Sequence, residues 1–301
     1  MSKSLGNSPD PIELMDIYGA DGVRFGMLHS SPAGNDLLFE TSLCEQGRNF
    51  SNKIWNAFRL IKGWEIDEHA SQPLHTATAL RWFHSKLNET INEIQDNFEK
   101  YRLSDALMNT YKLIWDDFCS WLLEIVKPPY QQPIDRKSFE ETIDLFEKLM
   151  QLLHPFMPFI TEELWQQLRN RSEKESIMYA KFPEFVPDKT DTILLTRFEQ
   201  TQKIIENIRR IRTEKNIAQK NQLELFILKP EADALPEMDA IVMKLSNLSG
   251  ITYVQDKVEG ALTFIEYNTE HFIPFGTHIN VEEEIKKIEE ELHYTEGFLK
   301  S

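Results

Sequence analysis

The sequence predicts a mainly α-helical protein: a helical bundle followed by a small α+β unit and the start of a coiled coil. Apolar residues recur with the period of an α-helix over residues 41–170. Alternating apolar and polar residues, which are typical of strands, begin at Gln222. A heptad-spaced apolar series runs from Val281 to Leu299. We therefore predict four domains, at residues 1–40, 41–185, 192–280 and 281–301.

The composition of the 301 residues is that of a globular protein, with 41% hydrophobic and 11% aromatic residues. No run approaches the roughly 18 apolar residues of a membrane span, and no signal peptide is visible. The two cysteines, Cys44 and Cys119, lack any metal-ligand spacing, which favours a reducing compartment. We therefore expect a cytoplasmic, monomeric protein with no membrane partner and no metal site.

The first 40 residues are predicted to form a polar loop followed by two short helices. Asp10 is a good N-cap, and Pro11 suits the first helical position. Gly19 ends this helix, and a second is predicted over Ala20–Ser30.

Five amphipathic helices with short joints predict the bundle. The first has an apolar face from Leu43 to Ile61, and Pro128-Pro129 ends the third. The other four are predicted at Arg81–Lys100, Leu103–Lys127, Phe139–His154 and Ile160–Leu168. Trp82, Trp115, Trp121 and Trp165 follow the helical period and are predicted to be core residues. Polar residues 171–191 form either a linker or a strap over the bundle.

The α+β unit combines two helices with four strands. The helices are predicted at Thr192–Lys215 and Leu235–Leu248, and the strands at Gln222–Leu228, Ile251–Val254, Leu262–Tyr267 and His271–Phe275. The heptads that follow are too short for an isolated helix to be stable in water. We therefore expect the root of an antiparallel coiled-coil arm whose remainder is missing.

One face of the first bundle helix is unusually rich in groups that suit RNA. Five residues fall within a stripe of about 100° opposite the apolar face: Arg48, Asn52, Trp55, Asn56 and Arg59. Amides recognise base edges, while aromatic rings and guanidinium planes stack on unpaired bases. The alternative is a solvated helix face with Trp55 half-buried against a neighbour.

The net charge of −16 is unfavourable for binding nucleic acid unless basic residues are gathered locally. Residues 192–220 hold seven basic and three acidic residues. Arg209, Arg210 and Arg212 are therefore candidates for phosphate contact. The alternative is a charged helix surface with salt bridges to the acidic bundle.

The opening run Met1-Ser2-Lys3-Ser4-Leu5-Gly6-Asn7 is a polar loop whose lysine can reach an anion. It resembles the tail of the Lys-Met-Ser-Lys-Ser signature of class I aminoacyl-tRNA synthetases, although the first lysine is missing. That resemblance implies that Ser2, Lys3 and Ser4 bind ATP phosphates and that Lys3 is catalytic. The alternative is an ordinary N-terminal lysine.

Four further segments resemble the same family. They are Pro32–Phe39, Arg48–Ala57, Trp115–Glu124 and Leu153–Trp165. The first two favour the valine-specific branch, and the last two are shared with the isoleucine and leucine enzymes. The family's His-Ile-Gly-His signature is absent, so we expect a C-terminal fragment that begins inside the active-site loop.

The resemblance implies a function for the full enzyme and a narrower one for this chain. The full enzyme would activate valine with ATP and Mg²⁺ and transfer it to tRNA(Val). This part would bind the anticodon, foremost through Asn52 and Asn56, and would be inactive alone, with no cofactor bound. Two alternatives stay open: a stand-alone helical RNA-binding or scaffold protein derived from this domain, and the isoleucine-specific equivalent.

Overall fold

A computed structural model of the chain describes residues 9–31, 34, 39–172 and 174–274. The chain divides into two compact units, Met1–Leu195 and Thr196–Ser301. The mainly helical fold class is confirmed. The finer domain boundaries stay a prediction, and the loop at residues 1–7 and the arm at residues 281–301 lie outside the described residues.

The first unit is a helical bundle preceded by two short helices. Its elements are α1 (Pro11–Tyr18), α2 (Ala20–His29), α3 (Thr41–Lys62), β1 (Ile66–Asp67), α4 (Leu74–Glu99), α5 (Leu103–Lys112), α6 (Leu123–Val126), β2 (Ile134–Asp135), α7 (Arg136–Leu153) and α8 (Pro158–Leu168). Side-chain caps fix two of the helix starts, because Asp10 accepts the Ile12 N–H and Asp135 accepts the Ser138 N–H, each at 2.8 Å. The predicted second and fourth bundle helices are present as α4 and α7, and both begin earlier than expected.

Helices α2 and α3 cross at backbone contact. A Cβ added to Gly26 would lie 2.6 Å from Cys44 Sγ, and one added to Gly47 would lie 2.7 Å from Phe25 Cβ. Only glycine permits this approach. The close crossing of α2 and α3 buries Cys44 and Phe25 completely. It thereby joins the predicted first domain, residues 1–40, to the bundle.

The segment between α5 and α6, Leu113–Leu122, has π-helical turns instead of α-helical ones. The Ser120 hydroxyl donates to the Trp115 carbonyl, five residues earlier, at 2.9 Å. The wider turns re-aim the side chains, so Trp115 and Trp121 are only half-buried. The prediction of four core tryptophans is therefore correct for Trp82 and Trp165 and wrong for these two.

Residues 171–191 are a strap and not a free linker. The buried Asn88 of α4 donates to the Val186 carbonyl at 2.9 Å and to the Thr190 hydroxyl at 2.8 Å. Its side-chain oxygen also accepts the Val186 N–H at 2.9 Å. Three hydrogen bonds from one side chain hold this polar stretch against the bundle.

The second unit is a four-stranded sheet with helices. Helix α9 (Thr192–Glu214) begins just before the unit boundary. It is followed by β3 (Leu223–Leu228), α10 (Pro236–Ser246), β4 (Leu248–Val254), β5 (Ala261–Glu266) and β6 (Thr269–Pro274). The strand order is β4-β3-β6-β5, with β3 and β4 parallel and the other pairs antiparallel. The α10 crossover joins the parallel pair, and the positive φ of Tyr267 and Asn268 forms the tight β5–β6 turn.

All predicted elements of this unit that fall on described residues are present, with ends shifted by a few positions. Within the described part of the chain, no helix is both long enough and apolar enough to cross a membrane.

Candidate nucleic-acid interface

The exposed stripe of α3 is present as the sequence predicts. Asn52, Asn56 and Arg59 are exposed, whereas Phe50 and Ile54 on the opposite side are completely buried. The side chains of the three exposed residues make no hydrogen bond or ion pair with any residue that the structure describes. Two amides and one guanidinium are therefore available to an external ligand from one rigid helix.

The two remaining stripe residues are partly engaged. Trp55 is 36% exposed, and its ring lies 5.8 Å from that of Phe58, so one part of the indole supports the bundle and another faces outward. Arg48 donates to Glu45 at 2.9 Å and lies over the Tyr18 ring at 5.7 Å. Exposed pairs of this kind are weak, so an RNA phosphate can compete with Glu45 for the guanidinium.

A clamp of side-chain hydrogen bonds from α2 to the start of α8 supports this helix, with Asp21 buried and Arg24 exposed. The Asp21 carboxylate accepts the N–H groups of Phe159 and Ile160, at 3.3 and 2.7 Å, at the start of α8. Burial raises the pKa of Asp21 above its usual value, while these two N–H donors oppose the shift. Arg24 completes the clamp by donating to the Pro155 and Phe156 carbonyls, each at 3.0 Å.

The clamp joins two segments that lie far apart in the sequence. Residues 153–165 carry a resemblance noted above, and Asp21 and Arg24 belong to the predicted helix Ala20–Ser30, but nothing in either segment indicates that they touch. Because α2 also packs against α3 through glycine contacts, the clamp fixes α3 relative to α8. Asp21 and Arg24 are thus positioning residues that sequence reasoning missed.

The basic residues of α9 separate into exposed and buried groups. Arg209 and Arg210 are exposed, and Arg210 lies 3.8 Å from Glu214 and donates to Asn207 at 2.8 Å. Their contact with phosphate stays a prediction. The ion pair of Arg210 lies within α9, so it does not test the alternative of salt bridges to the bundle.

Arg212 cannot contact phosphate, which corrects the sequence prediction. Its side chain is 4% exposed and donates to the carbonyls of Ala218, Asn221, Ser246 and Asn247 at 2.8–3.4 Å. These carbonyls lie at and after the C-terminal ends of α9 and α10, where negative partial charge stabilises a cation. Its place four residues after the buried Ile208 is the sequence signal for this burial.

The nucleotide-binding candidates Ser2, Lys3 and Ser4 lie outside the described residues. Among the residues that are described, no group of three or more His, Cys, Asp or Glu side chains could hold a metal ion. The binding of ATP phosphates by Ser2, Lys3 and Ser4 therefore stays a prediction.

Comparison with known proteins identifies the class of the helical region. Residues 80–227, from α4 to β3, match the model of the anticodon-binding domain of tRNA ligase. This stretch belongs to that domain family. Helix α3 precedes the matched stretch, so the comparison leaves its exposed stripe untested.

The relatives are more specific. Over all 301 residues the chain is 53% identical to the valine–tRNA ligase of Parabacteroides distasonis and 54% identical to that of Porphyromonas gingivalis. It is 35% identical to the valine–tRNA ligase of Fusobacterium nucleatum over 97% of this chain. The chain matches the C-terminal part of these valine–tRNA ligases and spans 34% of their length.

One solved structure shows a distant similarity. It is the ternary complex of Agrobacterium radiobacter K84 agnB2 LeuRS-tRNA-LeuAMS. The similarity has a TM-score of 0.44 and 18% identity over 84% of this chain and 30% of that one.

Proposed function

We propose that this chain is the anticodon-binding part of a valine–tRNA ligase and that the exposed stripe of α3 contacts the anticodon loop of tRNA(Val). The observation that carries the proposal is the set of unpaired amides at Asn52 and Asn56 beside Arg59 and the half-exposed Trp55. Unstacked loop bases expose both their edges and their faces. Amides pair with the edges, and the indole offers a face for stacking.

The rigidity of α3 supports specific binding. The glycine contacts with α2 and the Asp21–Arg24 clamp hold the helix before RNA arrives. A preorganised surface loses little conformational entropy on binding, so more of the contact energy becomes affinity. The exposed Arg209 and Arg210 are candidates for contact with the tRNA backbone, and such contacts make affinity fall with salt.

The complete protein would use ATP and Mg²⁺ to activate valine and transfer it to tRNA(Val) in the cytoplasm. In that protein Ser2, Lys3 and Ser4 would hold the ATP phosphates, with Lys3 stabilising charge in the transition state. The relatives named above are valine–tRNA ligases, which favours valine over isoleucine as the substrate. The domain match favours a ligase part over a stand-alone scaffold.

Replacement of Asn56 tests the proposed interface. Because this amide is exposed and unpaired, we expect Asn56→Ala to weaken binding of a tRNA(Val) anticodon hairpin roughly tenfold, the loss of about 1.4 kcal/mol. The melting temperature should stay nearly unchanged. Binding is measured by fluorescence anisotropy of labelled hairpin with the full 301-residue chain.

Asn92→Ala is the matched control, since Asn92 is an exposed asparagine on α4, away from the stripe. It should bind the hairpin as the parent chain does. Equal affinities for the Asn56→Ala and Asn92→Ala variants would contradict the assignment of the stripe.

A further inference from the structure

The C-terminal end of α3 opens into a cavity that the proposed interface does not include. Two loops and the last turn of α3 enclose about 510 Å³, lined by Leu60, Gly63, Trp64, Lys127, Tyr130 and Gln132 among others. That volume lies within the range of about 300–1,000 Å³ that small-ligand pockets occupy. Gly63 lines the cavity and lies four residues after Arg59, on the same side of α3, so the cavity continues the exposed stripe.

The loops around the cavity are held rigidly. The Ile134 N–H donates to the Glu65 carbonyl at 2.8 Å, and β1 pairs with β2 in parallel. Pro128-Pro129 leads into a turn that the Gln132 N–H closes on the Pro129 carbonyl at 2.9 Å. The two otherwise separate loops thus form one fixed rim.

This rim stores backbone strain at an exposed position. Gln131 has a φ of +61°, a conformation that side chains other than glycine adopt at a cost. Such strain persists only where the surroundings impose it, and it is enriched at binding sites. Tyr130, the residue before it, is 90% exposed and cannot contribute much to the core.

The groups on the rim match the chemistry of a nucleobase. Tyr130 and Trp64 offer aromatic faces on which an unpaired base can stack. Gln131 and Gln132 are exposed, and their side-chain amides make no hydrogen bond within the described part of the chain. An amide can donate to and accept from a base edge at the same time.

We propose that this cavity binds one unpaired base of the RNA loop, stacked on Tyr130 and Trp64 and recognised at its edge by Gln131 and Gln132. The proposal rests on the proposed function, because continuity with the α3 stripe is what favours RNA over another flat ligand. It adds a second recognition site, formed by the loops after α3 and α6, to the one on the helix.

Measuring each protein variant against each altered RNA tests the proposal. The RNA probes are the tRNA(Val) anticodon hairpin and versions in which each loop base in turn is replaced by an abasic residue. Tyr130→Ala should weaken binding of the intact hairpin roughly 5- to 150-fold, the range for one stacked base. Against one abasic hairpin, and only that one, the same substitution should cause no further loss.

Tyr130→Phe is the control, because it keeps the ring and should keep most of the affinity. Tyr130 is so exposed that its replacement leaves the fold intact. Unchanged affinity on Tyr130→Ala, or an equal loss with every hairpin, would overturn the base site. If Asn56→Ala still weakens binding in that case, the proposed function survives without it. A parent chain that binds no hairpin would overturn both proposals.

Discussion

At the scale of single residues, position on the helix period decides what a polar side chain does. Asn56 and Arg212 are both polar helix residues that the sequence predicts to contact RNA. Asn56 lies opposite the buried face of α3 and is exposed, while Arg212 continues the buried face of α9 and is enclosed. The stripe on α3 was predictable because its apolar face is unambiguous. The period of α9 likewise places Arg212 on the buried face, but the carbonyls that bind it come from residues 218–247 and could not be predicted from the helix alone.

His271 is a buried titratable residue that links the stability of the second unit to pH. Its Nδ1 lies 3.0 Å from the Thr269 carbonyl, and its ring stacks on Phe264 at 4.8 Å. Burial lowers the pKa of His271 from 6.5 to about 4. The folded unit therefore resists protonation that the unfolded chain accepts.

The sign of the pH effect follows from this shift. The contribution of His271 is fully present above pH 6.5 and is lost as the pH falls towards 4. We expect amides in the sheet core to lose about 2 kcal/mol of opening free energy between pH 7.5 and pH 5. Amide hydrogen exchange, corrected for its intrinsic pH dependence, measures this quantity.

His271→Gln is the matched variant, since glutamine keeps a hydrogen-bond donor but does not titrate. Its opening free energies should show a much smaller decrease over the same pH interval. A variant with the full decrease would show that another group is responsible.

At the scale of secondary structure, the periodicity of the sequence predicts which elements exist, and long-range contacts decide their details. Apolar spacing predicts all five bundle helices and the four strands. The π-helical turns at 113–122 and the Asp21–Arg24 clamp were not predictable, because their causes are contacts between distant segments. The strap at 171–191 likewise depends on one buried side chain of α4, Asn88.

The α2–α3 crossing gives a prediction at this scale. A methyl group at position 47 would lie 2.7 Å from Phe25 Cβ and 2.8 Å from the Gly22 carbonyl oxygen. We expect Gly47→Ala to lower the free energy of unfolding by about 1–3 kcal/mol, because the two backbones must separate. Urea unfolding followed by tryptophan fluorescence measures the change, since all six tryptophans lie in the first unit.

Asn49→Ala on the exposed side of α3 is the control and should change stability by less than about 0.5 kcal/mol. If Gly47→Ala were as stable as this control, the crossing would be looser than the contact distances indicate.

At the scale of the whole molecule, an acidic protein is proposed to bind a polyanion. The net charge of −16 opposes RNA at long range, so affinity must come from local contacts. Asn52, Asn56 and Arg59 provide such contacts, and their side chains have no acidic partner among the described residues. Sequence similarity to valine–tRNA ligases indicates which RNA to expect, but it leaves open which residues recognise it.

The most direct test of this account compares two hairpins that differ only in their anticodon. The affinity of the 301-residue chain for an anticodon hairpin of tRNA(Val) is measured beside that of the same hairpin with an isoleucine triplet. We expect the valine hairpin to bind at least roughly tenfold more tightly, because the isoleucine triplet would lose at least one base-specific contact. Equal affinity for the two hairpins, or no binding to either, would contradict it.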